Sequence, residues 1–134
     1  MRVRGTSEAC YTAISIQAAA REQAEARIVL ANTRTASRMR GPVLDLVASG
    51  RLPVMYEDQD WVRDGGLMAY GPSVPAMWYR AAYYVDRILK GAKPADLPVE
   101  QPMTFDCVVN LQTARELGIT FPNEIQLQIT EVIE

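Results

Sequence analysis

A chain of 134 residues, 49% hydrophobic and 22% charged, has room for one domain of ordinary size and the balance of a globular protein. Its 14 basic and 16 acidic residues leave a formal charge of −2, which excludes the basic field that nucleic acid requires and a polybasic membrane patch. Histidine is absent, which removes the commonest general base and metal ligand, and no apolar run is long enough to span a bilayer.

Met1-Arg2-Val3-Arg4 is basic, but no apolar stretch follows it, so no signal peptide is read. Residues 1–7 are polar and read as loose. Residues 8–26 are rich in Ala, Glu, Gln and Arg, all good helix formers, and predict a helix with a thin apolar stripe. Ile28-Val29-Leu30-Ala31 then reads as a buried strand of a parallel sheet. Ser37 can cap a second helix carrying Met39, Val43, Leu46 and Val47 on one face, although Pro42 moves its regular part to begin near Gly41. Ser49-Gly50 ends it. Val54-Met55-Tyr56 is a second strand, with Pro53 at its start. Strand, helix and strand at this spacing make a βαβ unit with a right-handed crossover. Glu57-Asp58-Gln59-Asp60 follows as an acidic loop, and residues 61–64 as one helical turn.

The most informative text begins at Gly65-Gly66. Residues 67–69 predict a short strand. Val74, Met77, Trp78, Ala81, Val85, Ile88 and Leu89 then follow helical spacing closely, with Ser73 as N-cap and Gly91 as the stop. Trp61 and Trp78 are both expected to pack. Pro94, Pro98 and Pro102 predict a stiff, extended connector. Residues 105–109 form a strand, and Asn110 caps a short helix closed by Gly118. The tail has a possible short helix after Pro122, and Ile125, Leu127, Ile129 and Val132 need cover. A disulfide between Cys10 and Cys107 stays open, though two buried or idle thiols is the better reading.

Chemistry is sparse. No nucleophile elbow, P-loop, zinc spacing or EF-hand loop is present, so no catalytic residue, metal site or cofactor is assigned. Glu57 and Asp58 are adjacent on an extended chain and point opposite ways, so a solvated acidic loop outweighs a shared carboxylate site. In parallel sheets ligands sit beyond the carboxyl ends of the strands, and here those ends carry Asn32, Thr33, Tyr56, Glu57 and Asp58. Tyr70 is as well suited to stacking on a ligand as to packing. The residues alone end at an α/β module that binds rather than catalyses.

Gly66-Leu67-Met68-Ala69-Tyr70-Gly71-Pro72, Tyr79-Arg80-Ala81-Ala82 and the run from Tyr84 through Leu97-Pro98-Val99-Glu100-Gln101-Pro102 resemble the C-terminal part of the ABC transporter substrate-binding proteins. Val109-Asn110-Leu111-Gln112-Thr113-Ala114-Arg115-Glu116-Leu117-Gly118, the ending Glu131-Val132-Ile133-Glu134 and Arg51 to Asp58 continue the likeness, which covers residues 20–134. Residues 1–12 match nothing in it.

The resemblance implies the periplasmic-binding-protein type I fold: Rossmann-like three-layer lobes, each with a mostly parallel sheet, joined by a hinge. It also implies a periplasmic carrier that takes a small solute, in some members an amino acid, to an ABC permease. The chain reads as the C-terminal half of such a protein. On that reading residues 20–66 and 104–134 belong to the second lobe, and residues 67–102 are a crossover segment with a helix of the first. The expected ligand-binding residues are Asn32, Tyr56, Glu57, Asp58 and Tyr70. The carboxylates suit the ammonium of a zwitterion, and Tyr70 suits an apolar body. The apolar stripe over 74–89 and the stiff connector favour a homodimer through that helix. The competing reading is a small self-associating α/β scaffold or regulatory protein with no transport role.

Overall fold

Short apolar runs separated by amphipathic segments build a five-stranded sheet in sequential order: β1 (Arg27–Val29), β2 (Val54–Tyr56), β3 (Met68–Pro72), β4 (Phe105–Asn110) and β5 (Glu131–Ile133). β1, β2 and β3 are parallel, β3 and β4 antiparallel, and β4 and β5 parallel. The computed structural model describes residues 18, 24–30 and 33–134; for residues 33–39 only the backbone is described. Helix α1 (Thr33–Gly50) connects β1 to β2, and α2 (Gln59–Arg63) connects β2 to β3. Helix α3 (Val74–Leu89) and a 3₁₀ turn at Pro94–Asp96 lie between the antiparallel strands. Helices α4 (Leu111–Leu117) and α5 (Asn123–Gln126) connect β4 to β5.

Successive strand residues face opposite ways, and both faces are covered. Val54, Tyr56, Ala69 and Val108 pack with Val43 of α1 and with Trp61 and Val62 of α2. Leu67 and Val109 pack with Ala114 of α4 and with Phe121. The result is helices, sheet and helices in three layers, the α/β architecture expected from the sequence. Arg40 of α1 ties the first layer together, donating to Asp64 at 2.9 Å while its guanidinium lies 5.9 Å from the Trp61 ring.

Several details differ from the reading of the sequence. Helix α1 starts at Thr33 and carries Pro42 inside it, not near its start. Proline costs one backbone bond there. Val43, Leu44, Leu46 and Val47, packed on the core, outweigh that loss. Of the helix expected over 8–26, only residues 18 and 24–26 are described; Ala18 is helical and residues 24–26 are not. Ser73 stands at the N-cap of α3 but makes no side-chain cap bond. β5 was not expected. Thr130 docks it, its N–H donating to Cys107 O at 2.8 Å while its hydroxyl accepts from Cys107 N at 2.9 Å. Cys107 is a buried free thiol, and Cys10 lies outside the described residues.

Helix α3 keeps the uncovered stripe that the sequence reading expected of it. No residue of the helix is buried, and Trp78, expected to pack, is 73% exposed.

Candidate functional site

The carboxyl ends of β2 and β3 converge where β4 begins. The register pairs Gly71 with Asp106 and Pro72 with Phe105. Glu57 and Asp58 leave β2 at the same edge. The Asp58 side chain accepts the Asp60 N–H at 2.8 Å and so starts α2, which turns the chain back under the sheet. Gly71 makes the turn possible, because the Glu57 carbonyl lies where any β-carbon would stand. Glu57, Asp58, Gln59, Gly71, Val74 and Asp106 line a notch of about 10 Å³. Sites for small solutes run to roughly 300–1,000 Å³. This edge is therefore too shallow to enclose a small solute by itself.

The five residues expected to bind are only partly brought together. Glu57 and Asp58 share the notch. Tyr56 does not line it: the residue is closed to solvent and stacked on Trp61 at 4.9 Å, because alternation along β2 turns it into the core beside Val54. Burial pushes its phenol up to about 12, and its hydroxyl has no hydrogen-bond partner among the described residues. Tyr70 is 46% exposed and stacks on Phe105 at 5.6 Å. Alternation along β3 puts that pair on the face opposite Ala69 and Gly71. Asn32 lies outside the described residues. Asp106 was missed. Its only signal in the sequence is an acid inside the apolar run 105–109, and the register that carries it to Gly71 is not local.

Beyond the edge, the β3–β4 ribbon runs out into an arm. Its last bond joins Ser73 N–H to Thr104 O at 2.9 Å. The connector then runs back along α3. Arg80 holds Glu100 through two bonds, of 2.7 and 2.5 Å, and Tyr84 donates to the Pro98 carbonyl at 2.8 Å. The Arg80 bond holds the Glu100 carboxyl below the usual carboxylate range. The same guanidinium stacks over Tyr83 at 4.1 Å. Between helix and connector runs an open groove of about 720 Å³, lined by Met77, Tyr79, Val99 and Met103 among others.

Among the described residues no helix is long and apolar enough to cross a membrane, and no cluster of His, Cys, Asp and Glu is arranged to hold a metal ion.

This architecture is shared with solved proteins. A conserved domain protein of Vibrio cholerae is 26% identical with a TM-score of 0.78, over 92% of this chain and 41% of that one. An ABC domain from Streptococcus pneumoniae, solved in complex with L-Trp, is 27% identical with a TM-score of 0.80, over 93% of this chain and 43% of that one. The ligand-free, open form of a substrate-binding protein with adhesive properties from Clostridium difficile shares the fold at 22% identity and a TM-score of 0.66, over 97% of this chain and 43% of that one. The chain thus spans about two-fifths of the length of the structures it matches. No curated protein matches it. The family model for ABC transporter substrate binding proteins matches residues 10–133, nearly the whole sequence, and the chain belongs to that family.

Proposed function

We propose that the chain captures a small solute for an ABC importer and hands it to a membrane permease, in the periplasmic or extracellular space typical of such carriers. It is a carrier with no chemical step. The observation that carries this reading is the acidic edge at the ends of β2 and β3, opening directly into an arm that buries none of its own helix. That is the form of one wall of a cleft. Residues 73–104 are the crossing arm; residues 67–72, expected in it, form the central strand β3 of the lobe it leaves.

The solute class is an α-amino acid. The L-Trp bound to the Streptococcus pneumoniae domain supports this choice. So does the chemistry of the edge: Glu57 and Asp58, with Asp106 beside them, suit an ammonium group. Tyr70, stacked on Phe105, lies on the opposite face of the ribbon and takes no part in this edge.

A thermal-shift series with L-Trp and the other amino acids tests the proposal. A ligand that binds only the folded state at 100 times its Kd adds about 2.7 kcal/mol of stability. The expected result is a saturable rise with one or more amino acids, reduced in Glu57→Gln. Flat curves with all of them refute the assignment.

A further inference from the structure

A second cavity lies at the other end of the lobe from the acidic edge, where β2 and β3 begin and beside α4, and has a volume of about 110 Å³. Leu44 and Val47 of α1, Leu52 and Val54 at the entry to β2, and Leu117 of α4 make its walls apolar. Tyr56 completes them, and its hydroxyl, closed to solvent, has no hydrogen-bond partner among the described residues. We propose that this cavity is a second binding site, for a small uncharged molecule that carries one hydrogen-bonding group for Tyr56. The site stands whether or not the acidic edge takes an amino acid.

Three observations favour such an occupant over water. The first is that other polar groups around the cavity are already engaged. The Thr113 hydroxyl donates to the Gly65 carbonyl at 2.9 Å, Gly66 N–H to Trp61 O at 2.8 Å, and the Arg51 guanidinium to the Glu116 carbonyl at 2.6 Å. Water filling this volume would number about three molecules at ~30 Å³ each, and each needs two to four polar partners. The Tyr56 hydroxyl cannot supply them, whereas one organic molecule asks for a single bond and covers the aliphatic walls with carbon. The second is size. An apolar cavity of about 150 Å³ takes benzene, so this one has room for roughly four to six heavy atoms. The third is charge. Arg51 is spent on a carbonyl, and the Glu116 carboxylate accepts from Gln112 at 3.2 Å. A charged ligand would lose its water among aliphatic side chains without gaining a counter-ion.

The cavity is framed by specific contacts. A β-carbon at Gly66 would stand 2.7 Å from both Trp61 O and Tyr56 Cε2, so the turn comes close against the hydroxyl end of the tyrosine ring only because glycine is there. Arg51, at a φ of 48° that is uncommon outside glycine, ties the end of α1 to α4 through its bond to Glu116. Tyr56 itself is held by its stack on Trp61 at 4.9 Å. An occupant bonded to Tyr56 therefore meets the strand whose next residue, Glu57, lines the acidic edge.

Two-dimensional NMR of the purified chain, titrated with pyrrole and with thiophene, tests the proposal. The two rings match in size, and only pyrrole carries an N–H for the Tyr56 oxygen. Saturable shifts are expected at Tyr56, Thr113 and Leu117. Tyr56→Phe keeps the ring and its stack, so it should weaken pyrrole about tenfold, the worth of one hydrogen bond, and leave thiophene unchanged. Val47→Phe extends a side chain of the wall into the cavity and should abolish binding of both. Shifts that never saturate overturn the inference, as does equal pyrrole affinity in Tyr56→Phe. A folded Val47→Phe variant that binds pyrrole at full strength also overturns it. So does a long-lived water, seen by nuclear Overhauser contact with the Tyr56 hydroxyl, that neither probe displaces.

Discussion

Gly71 is the position where one methyl group should cost most. A β-carbon built there stands 2.0 Å from the Glu57 carbonyl oxygen and 3.0 Å from its carbon. Ordinary contact begins near 3.4 Å, so the strand or the loop must move by about 1 Å or more. The obstacle is backbone, and no rotamer change relieves it. Gly71→Ala should therefore cost near the top of the ~1–3 kcal/mol range for overpacking. The lower chain entropy of alanine in the unfolded state returns about 0.4–1 kcal/mol. The net expectation is a loss of about 2 kcal/mol, read from the urea midpoint. The control is Gly50→Ala at the end of α1, where a β-carbon meets nothing within 4 Å and stability should hold or rise. The displaced segment is Glu57 itself, so amino-acid affinity should fall with stability. A Gly71→Ala variant within 0.5 kcal/mol of the parent, binding normally, would refute both the close approach and its link to the site.

Three further outcomes are expected. Asn110 is buried, its side chain accepting from Thr113 N–H at 3.0 Å and donating to Val62 O at 3.3 Å; Asn110→Ala should cost about 2 kcal/mol in chemical denaturation, the cap alone contributing about 1. Burial raises the folded-state pKa of Tyr56 to about 12 against about 10 when unfolded, so folding favours the neutral phenol. That stability is complete below pH 10 and is lost as pH rises from about 10 to about 12, by roughly 3 kcal/mol, a slope that Tyr56→Phe should flatten in alkaline titration. Glu100→Ala should leave the urea midpoint unmoved, because its ion pair is on the surface, yet speed amide exchange in residues 98–104 by freeing the connector from α3.

Local signals placed much of this fold. Asn110 and Gly118 punctuate α4 as read, because a cap bond and a left-handed φ of 75° are properties of single positions. The βαβ units were legible from alternating apolar runs and helices. β5 was not, since three residues carry no usable period, and what pins them is Thr130 bonding across 23 positions to Cys107. Pro42 misled for a related reason: its local cost is real, but packing of the second half of α1 decides the helix. At the site, adjacency was expected to turn Glu57 and Asp58 apart, yet both line the notch, because Asp58 has left the strand to cap α2. The strand-end rule put Tyr56 on the rim, whereas alternation along β2 turns it into the core beside Val54. Asp106 reaches Gly71 through antiparallel pairing between residues 35 positions apart, and no spacing rule within one element reports that.

Helix α3 marks the boundary between what periodicity says and what it leaves open. The stripe from Val74 to Leu89 announces that one face needs cover, and in most helices the cover is the chain's own core. Here the antiparallel turn of β3 into β4 carries the helix past the end of the sheet, so the same pattern is left without a core beneath it. A stripe of this kind constrains the chemistry of its partner, which must be apolar and roughly flat. It does not say to which body that partner belongs. The Arg80–Glu100 pair narrows the choice, because it removes from the groove the charge that a polar or charged partner would seek. What remains is a surface built to be buried next to an acidic edge that is too shallow to hold a solute alone. Both deficits are met by the same event, the arrival of a second wall.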